Sequence, residues 1–296
     1  QHEAAWRQLT ADNPFPAIHG RVCYHPCETV CNRKDLDSAV SIHSVERYLG
    51  DLALERGWRF EAPRRDSGRR VLIIGAGPSG LSAAYHLRRL GHEVEIHDSA
   101  DAPGGMMRYG IPEYRLPRDV LDAEVARITG MGVVIRNNAP VTDLLSTQVA
   151  GRFDAVFVAI GAHLSKRVDI PSADATRMVD AVSFLRDVAK GERPVIGRRV
   201  AVYGGGNTAM DAARVARRLG AEESVIVYRR TVEQMPAHAE ERESAEQEGV
   251  RMNWLRTITE MGEEDLTVEI MELDEEGRAH GTGRFEKLAA DTVILA

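Results

Sequence analysis

The stretch Gly68-Arg69-Arg70-Val71-Leu72-Ile73-Ile74-Gly75-Ala76-Gly77-Pro78-Ser79-Gly80 recurs 129 residues further on, from position 68 to position 197, as Gly197-Arg198-Arg199-Val200-Ala201-Val202-Tyr203-Gly204-Gly205-Gly206-Asn207-Thr208-Ala209. Each copy is an apolar run feeding a glycine turn. Each is followed by a helical pattern that closes on the same signal, Leu87-Arg88-Arg89-Leu90-Gly91 or Ala216-Arg217-Arg218-Leu219-Gly220. The residue types answer one chemical need. The first glycine permits the tight turn, the second lets backbone N–H groups approach a pyrophosphate, and the third position must be small so that the helix packs on the strand. Gly80 and Ala209 meet the last demand, and the helix that follows aims its unpaired N–H groups at the anion. The duplication predicts an α/β fold with two Rossmann-like domains, each holding a dinucleotide.

The two copies differ where the ribose is read. In the first, the strand His92-Glu93-Val94-Glu95-Ile96-His97 ends in Asp98, a carboxylate placed to accept hydrogen bonds from ribose hydroxyls. It favours a cofactor with a free 2'-OH, such as FAD or NAD. In the second, after a two-residue insertion, Val225-Ile226-Val227-Tyr228 ends in Arg229-Arg230. A carboxylate there would repel a 2'-phosphate, whereas a guanidinium grips it in bidentate fashion, which points to NADP(H). Two solvated arginines at a strand end are the alternative.

At 296 residues the chain has room for about two domains and a sizeable core, and 43% hydrophobic with 28% charged residues argues against disorder. Its net charge is −7 with basic residues dispersed, so nucleic acid is not expected as a partner. No apolar run approaches the roughly 18 residues of a membrane span, and no secretory signal is visible, which leaves a cytoplasmic location as the expectation.

Residues 1–62 read as a helical module, followed by a linker over 61–68. A first nucleotide domain is expected over 63–165, a second inserted over 166–288, and a return to the first over 289–296. Within the first, a Gly- and Pro-rich loop runs from Pro103-Gly104-Gly105 through Gly110-Ile111-Pro112, and Val120, Leu121, Val125 and Ile128 predict a helix over 118–129. Asp154-Ala155-Val156-Phe157-Val158-Ala159-Ile160-Gly161 reads as a buried strand that returns as Asp291-Thr292-Val293-Ile294-Leu295-Ala296, the pattern of a chain crossing between two nucleotide domains. The absence of an initiating Met and the end inside a strand suggest a piece of something longer.

All three cysteines lie within nine residues, in Cys23-Tyr24-His25-Pro26-Cys27-Glu28-Thr29-Val30-Cys31. Thiolates gathered this closely suit a metal or an iron–sulfur cluster, which would need a further ligand. A buried helical stripe of free cysteines explains the spacing equally well. His25 is read as structural.

Further motifs are more specific than either glycine turn: Asn13-Pro14-Phe15-Pro16, Gly20-Arg21-Val22-Cys23 with Pro26-Cys27-Glu28 and Cys31, Val40-Ser41-Ile42 leading to Val45-Glu46-Arg47, Gly104-Gly105-Met106-Met107-Arg108-Tyr109-Gly110-Ile111-Pro112, and Tyr228-Arg229-Arg230 with Met235-Pro236-Ala237. With them the chain resembles, nearly collinearly from Trp6 to Ala296, the small (beta) subunit of NADPH-dependent glutamate synthase and its relatives, including the N-terminal part of dihydropyrimidine dehydrogenase.

That resemblance implies an FAD domain interrupted by an NADP(H) domain and preceded by a helical iron–sulfur module. It implies that Cys23, Cys27 and Cys31 are shared between two [4Fe–4S] clusters and that Glu46 supplies an unusual ligand, the remaining cysteines belonging to a motif upstream of Gln1. A closing Gly-Asp motif that meets the flavin would lie beyond Ala296. By resemblance the backbone of Gly75, Ala76, Gly77, Pro78, Ser79 and Gly80 holds the FAD pyrophosphate and Asp98 the adenosine ribose. Gly105, Met106, Arg108, Gly110 and Arg115 pass near the flavin and its phosphates, and Val141 contacts the adenine side. Gly204, Gly205, Gly206, Asn207 and Thr208 would line the NADP(H) phosphates, with Arg229 and Arg230 selecting the 2'-phosphate. Glu233 stands where many relatives carry another basic residue.

The implied reaction is hydride transfer from nicotinamide to flavin, then single-electron release through the clusters to a large catalytic subunit or a ferredoxin-like acceptor. No catalytic acid or base is needed for the first half. A disulfide reductase is disfavoured because no CxxC pair follows the first βαβ unit. A nucleotide-binding scaffold without turnover is the alternative from another class.

Overall fold

The computed structural model describes residues 1–63, 65–162, 170–172, 177–262 and 265–296. The chain divides into two compact units, Gln1–Ala162 and His163–Ala296. The boundary expected at 165/166 falls outside the described residues.

The first unit opens with four helices, α1 (His2–Leu9), α2 (Pro16–Val22), α3 (Pro26–Thr29) and α4 (Ile42–Glu55). The first duplicate then supplies β1 (Arg70–Ile74), α5 (Pro78–Arg89) and β2 (Glu93–His97). It continues through α6 (Met106–Tyr109), α7 (Arg118–Thr129), β3 (Val134–Arg136), α8 (Leu144–Gly151) and β4 (Ala155–Val158). The sheet is parallel throughout, in the order β3-β2-β1-β4. Alternation in β2 turns Val94 and Ile96 to a core shared with Leu81 and Ala84 of α5 and Leu121, Val125 and Ile128 of α7, while Glu93, Glu95 and His97 take the other face. Phe15 and Ile18 of the N-terminal segment join that same core, so the helical module and the first sheet fold as one body.

The second unit repeats the plan with β5 (Met178–Asp180), α9 (Ala181–Ala189), β6 (Arg199–Tyr203), α10 (Asn207–Arg218), β7 (Glu223–Tyr228), α11 (Ala239–Gln247) and β8 (Arg251–Trp254). An antiparallel sheet of β9 (Arg256–Met261), β10 (Asp265–Leu273) and β11 (Ala279–Ala289) follows, and the chain ends in β12 (Thr292–Leu295). The parallel sheet runs β5-β12-β6-β7-β8. Ile258, Leu266 and Val268 of the antiparallel sheet pack with Ala201, Val225, Val227 and Val293 of the parallel one.

Two expectations are corrected here. Residues 289–296 do not return to the first sheet: β12 pairs with β6 and β5, with Val293 and Ile294 fully buried between them. The recurrence of Asp154 at Asp291 therefore marks equivalent strands of two sheets, not a crossing. Both aspartates do the same job. Asp154 accepts from the Arg70 backbone N–H at 2.8 Å and from Arg69 Nη1 at 2.7 Å, and Asp291 accepts from the backbone N–H of Arg198 and Arg199, each at 2.8 Å. Second, β4 is not a buried strand. Among the described residues it pairs with β1 alone, and Phe157 and Val158 are 41% and 53% exposed. An apolar run cannot by itself tell a central strand from an edge strand.

A buried contact between Arg127 and Glu124 lies where the helical module meets α7. Arg127 Nη1 lies 2.7 Å from Glu124 Oε1, Arg127 Nε donates to the Trp58 carbonyl at 3.1 Å, and its guanidinium covers Trp6 at 5.2 Å. Glu124 is fully buried and its Oε2 lacks a partner among the described residues. Burial, offset only in part by Arg127 and the Ala17 N–H, pushes the Glu124 carboxyl up to about 8. The folded chain thus keeps a proton that an unfolded carboxyl releases near its ordinary value. This contribution is complete below about pH 4, where unfolded carboxylates are protonated, and is lost as pH rises through 8. The urea midpoint should fall across that window in the native chain and flatten in Glu124→Gln. An unchanged slope in the variant would place the proton elsewhere.

Candidate dinucleotide sites and the cysteine loop

Each glycine turn ends at a helix N-cap of the same geometry. Gly77 (φ −78°, ψ −176°) caps α5 and Gly206 (φ −88°, ψ 175°) caps α10, and among the described residues no side-chain hydrogen bond closes either helix start. The first N–H groups of two twelve-residue helices are thereby left to an external acceptor. Space is arranged accordingly. A Cβ on Gly206 would meet nothing within 4 Å, and one on Gly77 would meet only the Gly105 Cα at 3.9 Å. The flanking positions are closed: a Cβ on Gly80 would run into the Gly75 carbonyl, and one on Gly205 would lie 2.5 Å from the Tyr228 ring. Ala209, in the place of the third glycine, is fully buried. The pattern read in the sequence is thus a tight wall with one open approach, twice.

In the first cradle, Asp98 follows β2 with its carboxylate fixed by the backbone N–H of Ala76 and, at 2.7 Å, of Ala100. Ala139 N–H reaches the Asp98 carbonyl at 2.8 Å, which brings the segment holding half-buried Val141 to the same strand end. The loop after Asp98 folds back on the turn: Gly104 N–H donates to the Ala76 carbonyl at 2.8 Å, and a Cβ on Gly105 would lie 2.7 Å from the Gly77 Cα. Pro78 and Ser79 open α5, Met106 opens α6 and is 37% exposed, and Gly110 closes it. Arg108 is directed into its own loop, with Nε on the Pro103 carbonyl at 2.6 Å and Nη2 on Asp122.

Two residues that sequence reasoning passed over hold this loop. Arg118 donates to the carbonyls of Met107 (3.1 Å), Leu116 (3.2 Å) and Ile111 (2.8 Å). The Tyr109 hydroxyl is bonded to Asp101, and burial first, then that bond, pushes it up to about 12, so it serves as a donor. Nothing in their spacing marks either residue, because their partners are backbone carbonyls and a side chain that no spacing rule connects.

In the second cradle, Asn207 and Thr208 begin α10, and Gly204, Gly205 and Gly206 precede it. The Met235-Pro236-Ala237 segment lies back on the turn through Ala237 N–H to the Gly205 carbonyl (3.0 Å) and His238 N–H to Asn207 Oδ1 (3.0 Å), with Tyr228 Oη donating to the Gln234 carbonyl (2.8 Å). Arg229 is exposed and Arg230 half-buried. Among the described residues no hydrogen bond or ion pair engages either guanidinium, and Arg230 Nε is buried without a partner. Glu233 is turned to the Thr231 hydroxyl, whose hydrogen bond holds its carboxyl below the usual range. Cations so placed are suited to a phosphate.

The cysteines do not form a buried helical stripe. Cys23 is extended after α2, Cys27 sits in α3, and Cys31 is extended again, with Cys23 and Cys27 exposed and Cys31 half-buried. The Cys31 thiol is held below its ordinary range, first by the Val40 N–H and then by that of Arg33, which favours the ligating thiolate. Glu46 Oε1 accepts from Asn13 Nδ2 at 3.1 Å. Among the described residues no three His, Cys, Asp or Glu side chains converge on one ion position. The donors have the chemistry of a [4Fe–4S] site and are distributed along a loop. His25 stacks on His43 with ring centroids 4.9 Å apart.

Two like strand–glycine–helix turns in one chain, one followed by the Asp98 carboxylate and the other by Arg229 and Arg230, have the plan of a flavin- and pyridine-nucleotide-type oxidoreductase fold. Residues 69–296 match the pyridine nucleotide-disulphide oxidoreductase family, and residues 1–58 match the family of dihydropyrimidine dehydrogenase domain II, 4Fe-4S cluster. The chain belongs to the pyridine nucleotide-disulphide oxidoreductase family, in the branch that carries an N-terminal 4Fe-4S domain and includes the glutamate synthase small chains. Its cofactors are accordingly FAD, a pyridine nucleotide and a [4Fe–4S] cluster.

It is 39% identical over 329 residues to the beta subunit of NADP(+)-dependent formate dehydrogenase of Moorella thermoacetica, covering 98% of this chain and 46% of the relative. It is 39% identical to the NADPH-Fe(3+) oxidoreductase subunit beta of Geobacter sulfurreducens (83% and 38%) and 36% identical to the glutamate synthase [NADPH] small chain of Azospirillum brasilense (85% and 56%). The chain thus spans roughly half the length or less of the curated relatives it matches first. FprA, a Mycobacterium tuberculosis oxidoreductase, shares the fold at a TM-score of 0.64 and 20% identity, covering 77% of this chain and 70% of its own. No helix among the described residues is long and apolar enough to cross a membrane.

Proposed function

We propose that this chain is the NADPH-oxidising, FAD-containing electron-input module of a larger assembly, most like the glutamate synthase small subunit. The observation that carries the reading is the pairing of two like cradles with opposite ribose readers, a fixed carboxylate at Asp98 and an uncommitted pair of guanidiniums at Arg229 and Arg230. Bound in the first cradle, FAD would supply acceptance of a hydride from NADPH and release of electrons one at a time. The chain's own residues bind and orient: Gly77 and Gly206 present helix N–H groups to the two pyrophosphates, Asp98 accepts from a ribose hydroxyl, and Arg229 and Arg230 neutralise a 2'-phosphate. Arg118 and Tyr109 keep the loop of Gly105, Met106, Arg108 and Gly110 in register with the first cradle. Cys23, Cys27, Cys31 and Glu46 supply cluster ligands. Residues 69–296 contain no cysteine, so an internal dithiol, as in a disulfide reductase, has no residues to form it.

The partner on this reading is a catalytic large subunit or a ferredoxin-like acceptor, and the location is cytoplasmic. The division into a helical module over 1–62, a first nucleotide domain from 63 and a second that begins near 165 belongs to the same proposal. Purified protein should reduce ferricyanide at the expense of NADPH and lose that activity when its flavin is stripped. A nucleotide-binding scaffold would show tight NADP(H) binding and no acceptor reduction.

A further inference from the structure

Tyr24 lies between Cys23 and His25, in the turn from α2 to α3, and its side chain leaves that turn for the flavin loop. Arg115 Nη2 donates to Tyr24 Oη at 2.8 Å, and the Arg115 guanidinium carbon stands 5.8 Å from the centre of the Tyr24 ring. Arg115 is held rigidly at its other end. Its N–H bonds the Pro112 carbonyl at 3.0 Å, the neighbouring Leu116 is fully buried, and Arg118 fastens the carbonyls on both sides of it. The same loop begins at Gly105, whose backbone abuts Gly77 in the first cradle. An unbroken series of contacts therefore runs from the pyrophosphate turn through the loop to Arg115, and from Arg115 to the residue between two cysteines.

We propose that Tyr24 is a positioning residue that holds the Arg115 guanidinium between the cysteine loop and the flavin loop, so that FAD binding and ordering of residues 23–31 are coupled. The inference rests on the reading that the first cradle takes FAD. A guanidinium tethered in advance loses little rotamer freedom when a ligand arrives, which raises affinity. Coupling of this kind is reciprocal: whatever Tyr24 contributes to FAD affinity, FAD contributes to the order of the cysteine loop. Both halves of the tether matter separately. Tyr24→Phe keeps the ring under the guanidinium and removes the acceptor oxygen, while Arg115→Lys keeps the charge and removes the planar fork.

Amide hydrogen exchange of residues 23–31, measured on the full chain with FAD bound and after FAD is removed, tests this. In the native chain FAD should slow exchange in the loop several-fold. In Tyr24→Phe that FAD dependence should shrink toward none, and FAD should dissociate about tenfold faster, the equivalent of one hydrogen bond to a charged group. A merely structural tyrosine would speed exchange equally with and without FAD. That result would overturn the proposal. A native chain that takes up no FAD at all would instead overturn the functional reading, and the coupling with it.

Discussion

Gly206→Asp should fold normally yet need at least ~100-fold more NADPH to reduce its flavin. The N-cap of α10 has open space in front of it, and its extended backbone, φ −88° and ψ 175°, is one any residue adopts. Aspartate is a favoured N-cap, so the helix loses nothing and the melting temperature should hold. Its carboxylate, however, would accept the helix-start N–H groups meant for the pyrophosphate and place a negative charge against it. Each charge-assisted bond so lost is worth about 1.5–3 kcal/mol, and every 1.4 kcal/mol is tenfold in affinity. Gly205→Ala is the control with the reverse outcome. Its added methyl meets the Tyr228 ring at 2.5 Å, so stability should fall before nucleotide selectivity is touched. If Gly206→Asp bound NADPH normally, the phosphates would lie elsewhere.

Replacing Arg229 and Arg230 together by alanine should weaken NADPH by about 100-fold and leave NADH nearly unchanged, on the basis of one or two charge-assisted bonds to a 2'-phosphate. Neither guanidinium has an internal partner among the described residues, so their removal opens no ion pair and should cost little stability. Glu233, bonded to Thr231, does not compete for them. Steady-state constants for both nucleotides decide the matter. Equal weakening of NADPH and NADH would mean that the arginines shape the cradle and do not select its phosphate.

The parts of this protein written as local chemistry were legible in its sequence. The glycine turns declare themselves because a tight strand-to-helix turn dictates the residue type at each position, and α7 follows from its helical spacing. What depended on tertiary neighbours was not legible. Asp291-Thr292-Val293-Ile294-Leu295 and Asp154-Ala155-Val156-Phe157-Val158 look alike as strings, yet among the described residues β12 lies buried between two strands and β4 has a single neighbour. The cysteine spacing suited a helical stripe, but α3 is only Pro26–Thr29 and the outer two cysteines fall outside it. Arg118, Tyr109 and Tyr24 were missed because their partners are carbonyls and side chains that no spacing rule connects.

The most direct test of the central claim is an anaerobic titration of the purified chain with NADPH, followed in the visible absorption of its bound flavin. Loss of the oxidised flavin bands in proportion to NADPH added, with NADH far less effective, is the predicted result. Flavin bands that persist while NADPH is demonstrably bound would contradict the account.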